Sequence, residues 1–79
     1  MAKLWIRNLA PDVTDDDLRA FLTKYGFPEA GEIERIGADG PRPGATVTFP
    51  GKTTSELGAL ATRVHDMFWR GHTLNVQVL

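Results

Sequence analysis

The order in which apolar periodicity changes along this chain limits its fold more than any other feature: strand, helix, strand, strand, helix, strand. The first segment runs from Lys3 to Leu9 (KLWIRNL) and is closed by Ala10-Pro11, where proline disfavours continuation. A helix start follows. Thr14 and Asp17 have the spacing of a capping box, Val13 can staple to Leu18, and Leu18, Phe21, Leu22 and Tyr25 share one helical face before Gly26. The second strand is predicted over Glu32 to Gly37. Its two large apolar residues, Ile33 and Ile36, do not alternate, which predicts a bend or bulge near Ile33. After the loop Ala38 to Pro43, Gly44 to Phe49 alternates with Ala45, Val47 and Phe49 on one face. Pro50-Gly51 ends that strand, and Thr53 with Glu56 forms a second capping box. Leu57, Leu60, Ala61, Val64 and Phe68 then supply the second apolar stripe, which Gly58 weakens by about 1 kcal/mol. Thr73 to Leu79 is the fourth strand, with Leu74, Val76 and Val78 on one side and Asn75 and Gln77 on the other.

Two helices with one stripe each must cover the single apolar face of a four-stranded sheet, so both are expected on the same side. That arrangement is the ferredoxin-like βαββαβ two-layer α+β sandwich, with an antiparallel sheet. Its other face is left open, and alternation assigns to it Trp5 and Arg7, Thr46 and Thr48, Asn75 and Gln77, with Arg35 or Glu34 from the second strand. With 79 residues, the chain is expected to be one domain spanning 1–79, and such a domain has no room for a large enclosed active site. The absence of Cys excludes disulfides, thiolate metal sites and thiol nucleophiles. Nine Lys+Arg against ten Asp+Glu argue against a sequence-independent polyanion coat, so any nucleic-acid binding must rest on local chemistry.

The residues resemble the RNA recognition motif (RRM) family from Lys3 to Val78. Leu4 to Leu9 (LWIRNL) resembles the hexamer motif of its first strand, with Trp5 at the base-stacking position, and Gly71 to Val76 (GHTLNV) resembles its approach to the last strand. The octamer K/R-G-F/Y-G/A-F-V-x-F/Y aligns with Arg42 to Phe49, where Arg42, Ala45, Val47 and Phe49 fit. The two aromatic positions hold Gly44 and Thr46, so the octamer is degenerate. The resemblance implies binding of short single-stranded RNA on the open face with modest affinity, since each lost stacking platform removes ~1–3 kcal/mol. In this reading Trp5 stacks a base, and Arg7, Arg35 and Arg42 stack or pair with phosphate. Asn75 and Gln77 read base edges, Thr46 and Thr48 are lesser contacts, and the loop Asp39 to Pro43 closes over the strand.

The alternative is a protein-interaction RRM that has shed its RNA-stacking residues. Asp12, Asp15, Asp16 and Asp17 crowd the start of the first helix, and certain splicing-factor RRMs use such a helix with an Arg-x-Phe turn to hold a tryptophan-bearing peptide. That turn falls here on Met67-Phe68-Trp69, where the arginine is missing. Trp69 is expected to pack at the core edge. Gly51-Lys52-Thr53 lacks the first glycine of a phosphate loop, since Thr46 stands there, and His65 and His72 have no third ligand at a useful spacing. No catalytic residue, cofactor or metal is expected. The chain reads as a cytoplasmic monomer without a membrane segment, and six Arg against three Lys point to a GC-rich bacterial source.

Overall fold

A computed structural model describes residues 2–37, 40 and 43–79. Its elements are β1 (Ala2–Arg7), α1 (Asp15–Lys24), β2 (Ile33–Ile36), β3 (Gly44–Phe49), α2 (Thr54–Val64), β4 (Phe68–Trp69), β5 (His72–Thr73) and β6 (Asn75–Val78). Four strands form one antiparallel sheet in the order β2-β3-β1-β6, while β4 and β5 make a separate hairpin. This is the ferredoxin-like α+β fold.

Alternation sorts the two faces. Leu4 and Ile6, Ala45, Val47 and Phe49, and Val76 join Leu18, Phe21 and Leu22 of α1 and Leu57, Ala61 and Val64 of α2 in one buried cluster. Phe27, directly after the left-handed Gly26 that stops α1, enters the same core with its ring 5.8 Å from that of Phe49. Both helices begin with the predicted caps. Asp17 N–H donates to Thr14 Oγ1 and Thr14 N–H to the Asp17 carboxylate, each at 3.1 Å. Thr53 and Glu56 repeat the exchange at 3.2 and 3.4 Å.

The bulge expected near Ile33 is present, and two further expectations, for Phe68 and for the last strand, are corrected. Ile33 to Ile36 pairs regularly with Val47 to Gly44, and the irregularity lies just ahead of the strand. There Gly31 N–H donates to the Thr48 carbonyl at 2.7 Å while Glu32 carbonyl accepts from Thr48 N–H at 2.9 Å, two residues opposing one as in a β-bulge. The spacing of the isoleucines means that they occupy opposite faces: Ile33 packs on the core and Ile36 is 41 % exposed. Phe68 does not extend the stripe of α2, since that helix ends at Val64 and Asp66, in the left-handed region at φ 62°, turns the chain away. Phe68 is left 71 % exposed, and its neighbour Trp69 turns to α1 instead, with its ring 4.3 Å from that of Phe21. The last strand is shorter than expected because Thr73 belongs to the β4–β5 hairpin, whose two-residue turn has positive φ at Arg70 and Gly71 as a type I′ turn requires.

Two glycines have opposite reasons to be where they are. A Cβ at Gly44 would lie 2.7 Å from the Ile6 carbonyl oxygen, whereas one at Gly58 would meet nothing within 4 Å. Gly44→Ala is therefore expected to destabilise the domain by about 1–3 kcal/mol through strain between β1 and β3. Gly58→Ala should stabilise it by about 0.5–1 kcal/mol. Urea unfolding of the two variants checks the opposite signs; equal signs would refute the packing assigned to them.

Candidate nucleic-acid interface

On the face opposite the helices, the register builds rows across the four strands. Glu34, Thr46, Trp5 and Gln77 form the central row, with Lys3 beside Thr48 on one side of it and Arg7 beside Asn75 on the other. Trp5 is half-buried in the middle of the sheet. Arg7, two residues further along β1, lays its guanidinium over the Trp5 ring at 4.6 Å from the centroid and donates from Nη2 to Asn75 Oδ1 at 2.9 Å. Thr46 is only 8 % exposed between Glu34 and Trp5, so it offers little surface, while Thr48 is half-buried and Gln77 exposed.

Of the two candidates on the second strand, Glu34 stands on this face and Arg35 does not. Arg35 pairs with Ala45 on the helix side, where Nε is 2.9 Å from an Asp15 carboxylate oxygen and Nη2 donates to the Val13 carbonyl at 2.8 Å. The period of two gives the physical reason, because neighbours on a strand face opposite ways. Arg42, and most of the loop expected to close over the strand, lies outside the described residues.

The acidic start of α1 is in good part neutralised within the domain. Asp15 is held by Arg35, and Asp17 completes the cap and lies 3.4 Å from Arg70 Nη2. The aromatic turn expected at Met67-Phe68-Trp69 places Trp69, not Phe68, against α1. Arg70 lies over the Trp69 ring at 5.3 Å. Lys52 pairs with Glu56 at 3.8 Å at the start of α2, and His65 caps an edge by accepting the Val76 N–H at Nδ1, 3.1 Å away. Among the described residues no cluster of side chains could hold a metal ion, and no helix is long and apolar enough to cross a membrane.

One feature of this end of the sheet was missed from the sequence. Beyond Arg7 and Asn75 the surface drops into a cleft of about 430 Å³ that reaches Asn8, Asp66 and Thr73. Asn8 and Asp66, both at positive φ, are the only local signals, and positive φ cannot be read from residue type alone.

No protein family and no curated protein matches the chain by sequence. Solved structures do match its fold. RRM3 of Pes4 is similar with a TM-score of 0.78 and 27 % identity over 98 % of this chain and 89 % of that one. RRM3 of Mip6 gives a TM-score of 0.76 at 18 % identity, covering 95 % and 88 % of the two chains. The RRM domain of S. pombe Puf1 gives 0.74 at 18 %, covering 99 % and 88 %. The chain thus has the fold of an RNA recognition motif.

The cap makes one electrostatic prediction. Hydrogen bonds from the Thr14 backbone and then its hydroxyl hold the Asp17 carboxyl below the ordinary aspartate value of 3.8, opposed by desolvation and helped least by Arg70. A depressed acid stabilises the fold above its unfolded pKa and loses that contribution as pH falls through the folded one. The stability difference between the native chain and Asp17→Asn should therefore be full at pH 6 and shrink below about pH 4, as urea titrations at both pH values would show. A difference independent of pH would remove the carboxylate from the cap.

Proposed function

We propose that the chain binds short single-stranded RNA on the open face of its sheet, by recognition and not by catalysis. The observation that carries the reading is Trp5, an aromatic set in the central row with a guanidinium already stacked on it. A splayed base gains stacking area on the indole and guanidinium planes, and Lys3 and Arg7 along β1 are placed to meet phosphates. Asn75 and Gln77 present amides to base edges beside them. Arg42 is assigned a phosphate or stacking contact from the sequence alone.

Affinity in this reading is modest. The octamer motif is degenerate at Gly44 and Thr46, and stacking platforms there would each contribute ~1–3 kcal/mol. Glu34, at the far end of the row from Gln77, adds a negative charge that confines the backbone path to the β1 and β6 side. The name of the similar Pes4, Mip6 and Puf1 domains, RRM, agrees with the assignment. The protein-docking alternative has less behind it, because two of the acidic residues it relies on are engaged with Arg35 and Arg70.

Trp5→Ala is expected to cost ~1–3 kcal/mol of affinity for short single-stranded RNA, roughly 5- to 150-fold in Kd, without unfolding the domain. Arg35→Ala, on the covered face, should leave Kd within about twofold. Titration of labelled protein at low and at raised salt measures both, and binding should weaken as salt rises. A Kd unchanged by Trp5→Ala would remove the sheet face as the site.

A further inference from the structure

The cleft at the end of β1 is continuous with the Trp5 platform, because Arg7 and Asn75 belong to both. We infer that this cleft, formed by Arg7, Asn8, Asp66, Thr73, Leu74 and Asn75, is a base pocket that selects guanine in the bound RNA. The inference rests on the RNA-binding reading and adds to it the nucleotide that is read.

The cleft has the size and the polarity for a base. Its volume of about 430 Å³ exceeds that of one nucleobase and stays far below what a folded oligonucleotide needs. Its lining includes both hydrogen-bond donors and acceptors. Arg7 supplies the donors: Nη2 is engaged with Asn75, and Nε is buried with no partner among the described residues. A buried N–H without a partner is unfavourable, so a small shift of the guanidinium that brings it to a ligand acceptor is favoured. Asp66 supplies the acceptors. Its backbone N–H is tied to the Leu74 carbonyl at 2.9 Å, and its carboxylate is largely exposed, with His65 Nε2 no nearer than 3.6 Å.

The backbone holds these groups in place. Asn8 and Asp66 both lie in the left-handed region, at φ 65° and 62°, where Asn and Asp are the side chains best tolerated. Asn8 Nδ2 donates to the Thr73 carbonyl at 2.9 Å, which ties the end of β1 to the hairpin and leaves the amide oxygen as a further acceptor.

Guanine fits this pattern and the other bases do not. It alone presents two adjacent donors, N1–H and the N2 amine, which a carboxylate accepts together, and it keeps O6 and N7 as acceptors for a guanidinium. Adenine and cytosine offer one exocyclic donor next to an acceptor that faces the carboxylate unfavourably, and uracil offers one donor between two carbonyls.

The test compares hexauridylates that carry one guanosine, adenosine or inosine at an internal position, titrated into labelled protein at low salt. The guanosine oligonucleotide should bind about tenfold more tightly than the adenosine one, with amide shifts at Asp66, Thr73 and Asn75. Inosine, which lacks the N2 amine, should lose a large part of that advantage. Asp66→Asn, which tolerates the same backbone conformation, should bring guanosine and adenosine within about twofold while Trp5-dependent binding persists. Equal affinities in the native chain, or a preference that survives Asp66→Asn, would overturn the guanine pocket and leave the RNA reading standing. Failure of every oligonucleotide to bind would overturn both. Guanosine monophosphate binding as tightly as the oligonucleotide would reassign the cleft to a free nucleotide and so refute the RNA source.

Discussion

Strand β1 lies between β3 and β6, and its pairing decides what each face of the sheet can be. Once Leu4 stands opposite Val47 and Val78, every odd position of β1 is committed to the open face and every even one to the core. A slip of one residue would place Trp5 and Arg7 against the helices and put Leu4 and Ile6, both fully buried, into water. Burying an aliphatic side chain of that size stabilises by about 1.5–3 kcal/mol, so two of them pin the register firmly. The open-face constellation is in this sense a by-product of the core. The helices fix Leu4 and Ile6, and alternation delivers Trp5 and Arg7 to the surface side by side.

The same central strand accounts for part of what the open face lacks. Position 44 sits so close to β1 that even a methyl group would meet the Ile6 carbonyl oxygen, and an aromatic ring there would require the two backbones to separate. The missing platform at Gly44 is thus a matter of backbone spacing. Thr46 is different, because its neighbours in the row are the side chains of Trp5 and Glu34. Beside an indole on one side and a carboxylate on the other, a threonine fills the gap with little surface exposed. The face is consequently concentrated on β1 and β6 and is sparse toward β2, where Glu34 and the exposed Ile36 end the rows.

Much of this was legible in the sequence, and the parts that were not share a cause. The strand order, both capping boxes and the inward sets of β1 and β3 follow from period and spacing, which local residue types encode directly. Arg35 was ambiguous because a four-residue strand carrying only two isoleucines, at odd spacing, does not declare its inner face. It is Asp15 and the Val13 carbonyl, brought near only by the fold, that draw Arg35 to the helix side. Phe68 continued the stripe of α2 by number, yet the helix had already stopped: His65 is extended and Asp66 follows at positive φ, with no glycine or proline to mark the end. The hairpin that follows was hidden because its turn is Arg-Gly, where Asn-Gly or Asp-Gly would have announced it. The cleft was hidden for the same reason, being formed by the residues on either side of that unannounced turn and by the left-handed Asn8.

Arg7 joins the stacking platform to the cleft, and this has a consequence for how the two act together. In the free protein its guanidinium is fixed by the Trp5 ring and by Asn75 Oδ1, so one long side chain has already given up rotamer freedom that binding would otherwise remove. A base on Trp5 and a base in the cleft would both touch this pre-ordered group, the first through its plane and the second through its edge. In the proposed RNA complex, anything that loosens Arg7 would therefore weaken both contacts at once. Asn75 acts through Arg7 as well as by its own amide, since without its oxygen the guanidinium keeps only the indole to orient it. On the proposed RNA-binding reading, the energetic centre of the face is the Trp5–Arg7–Asn75 unit, around which the outlying polar groups would add selectivity.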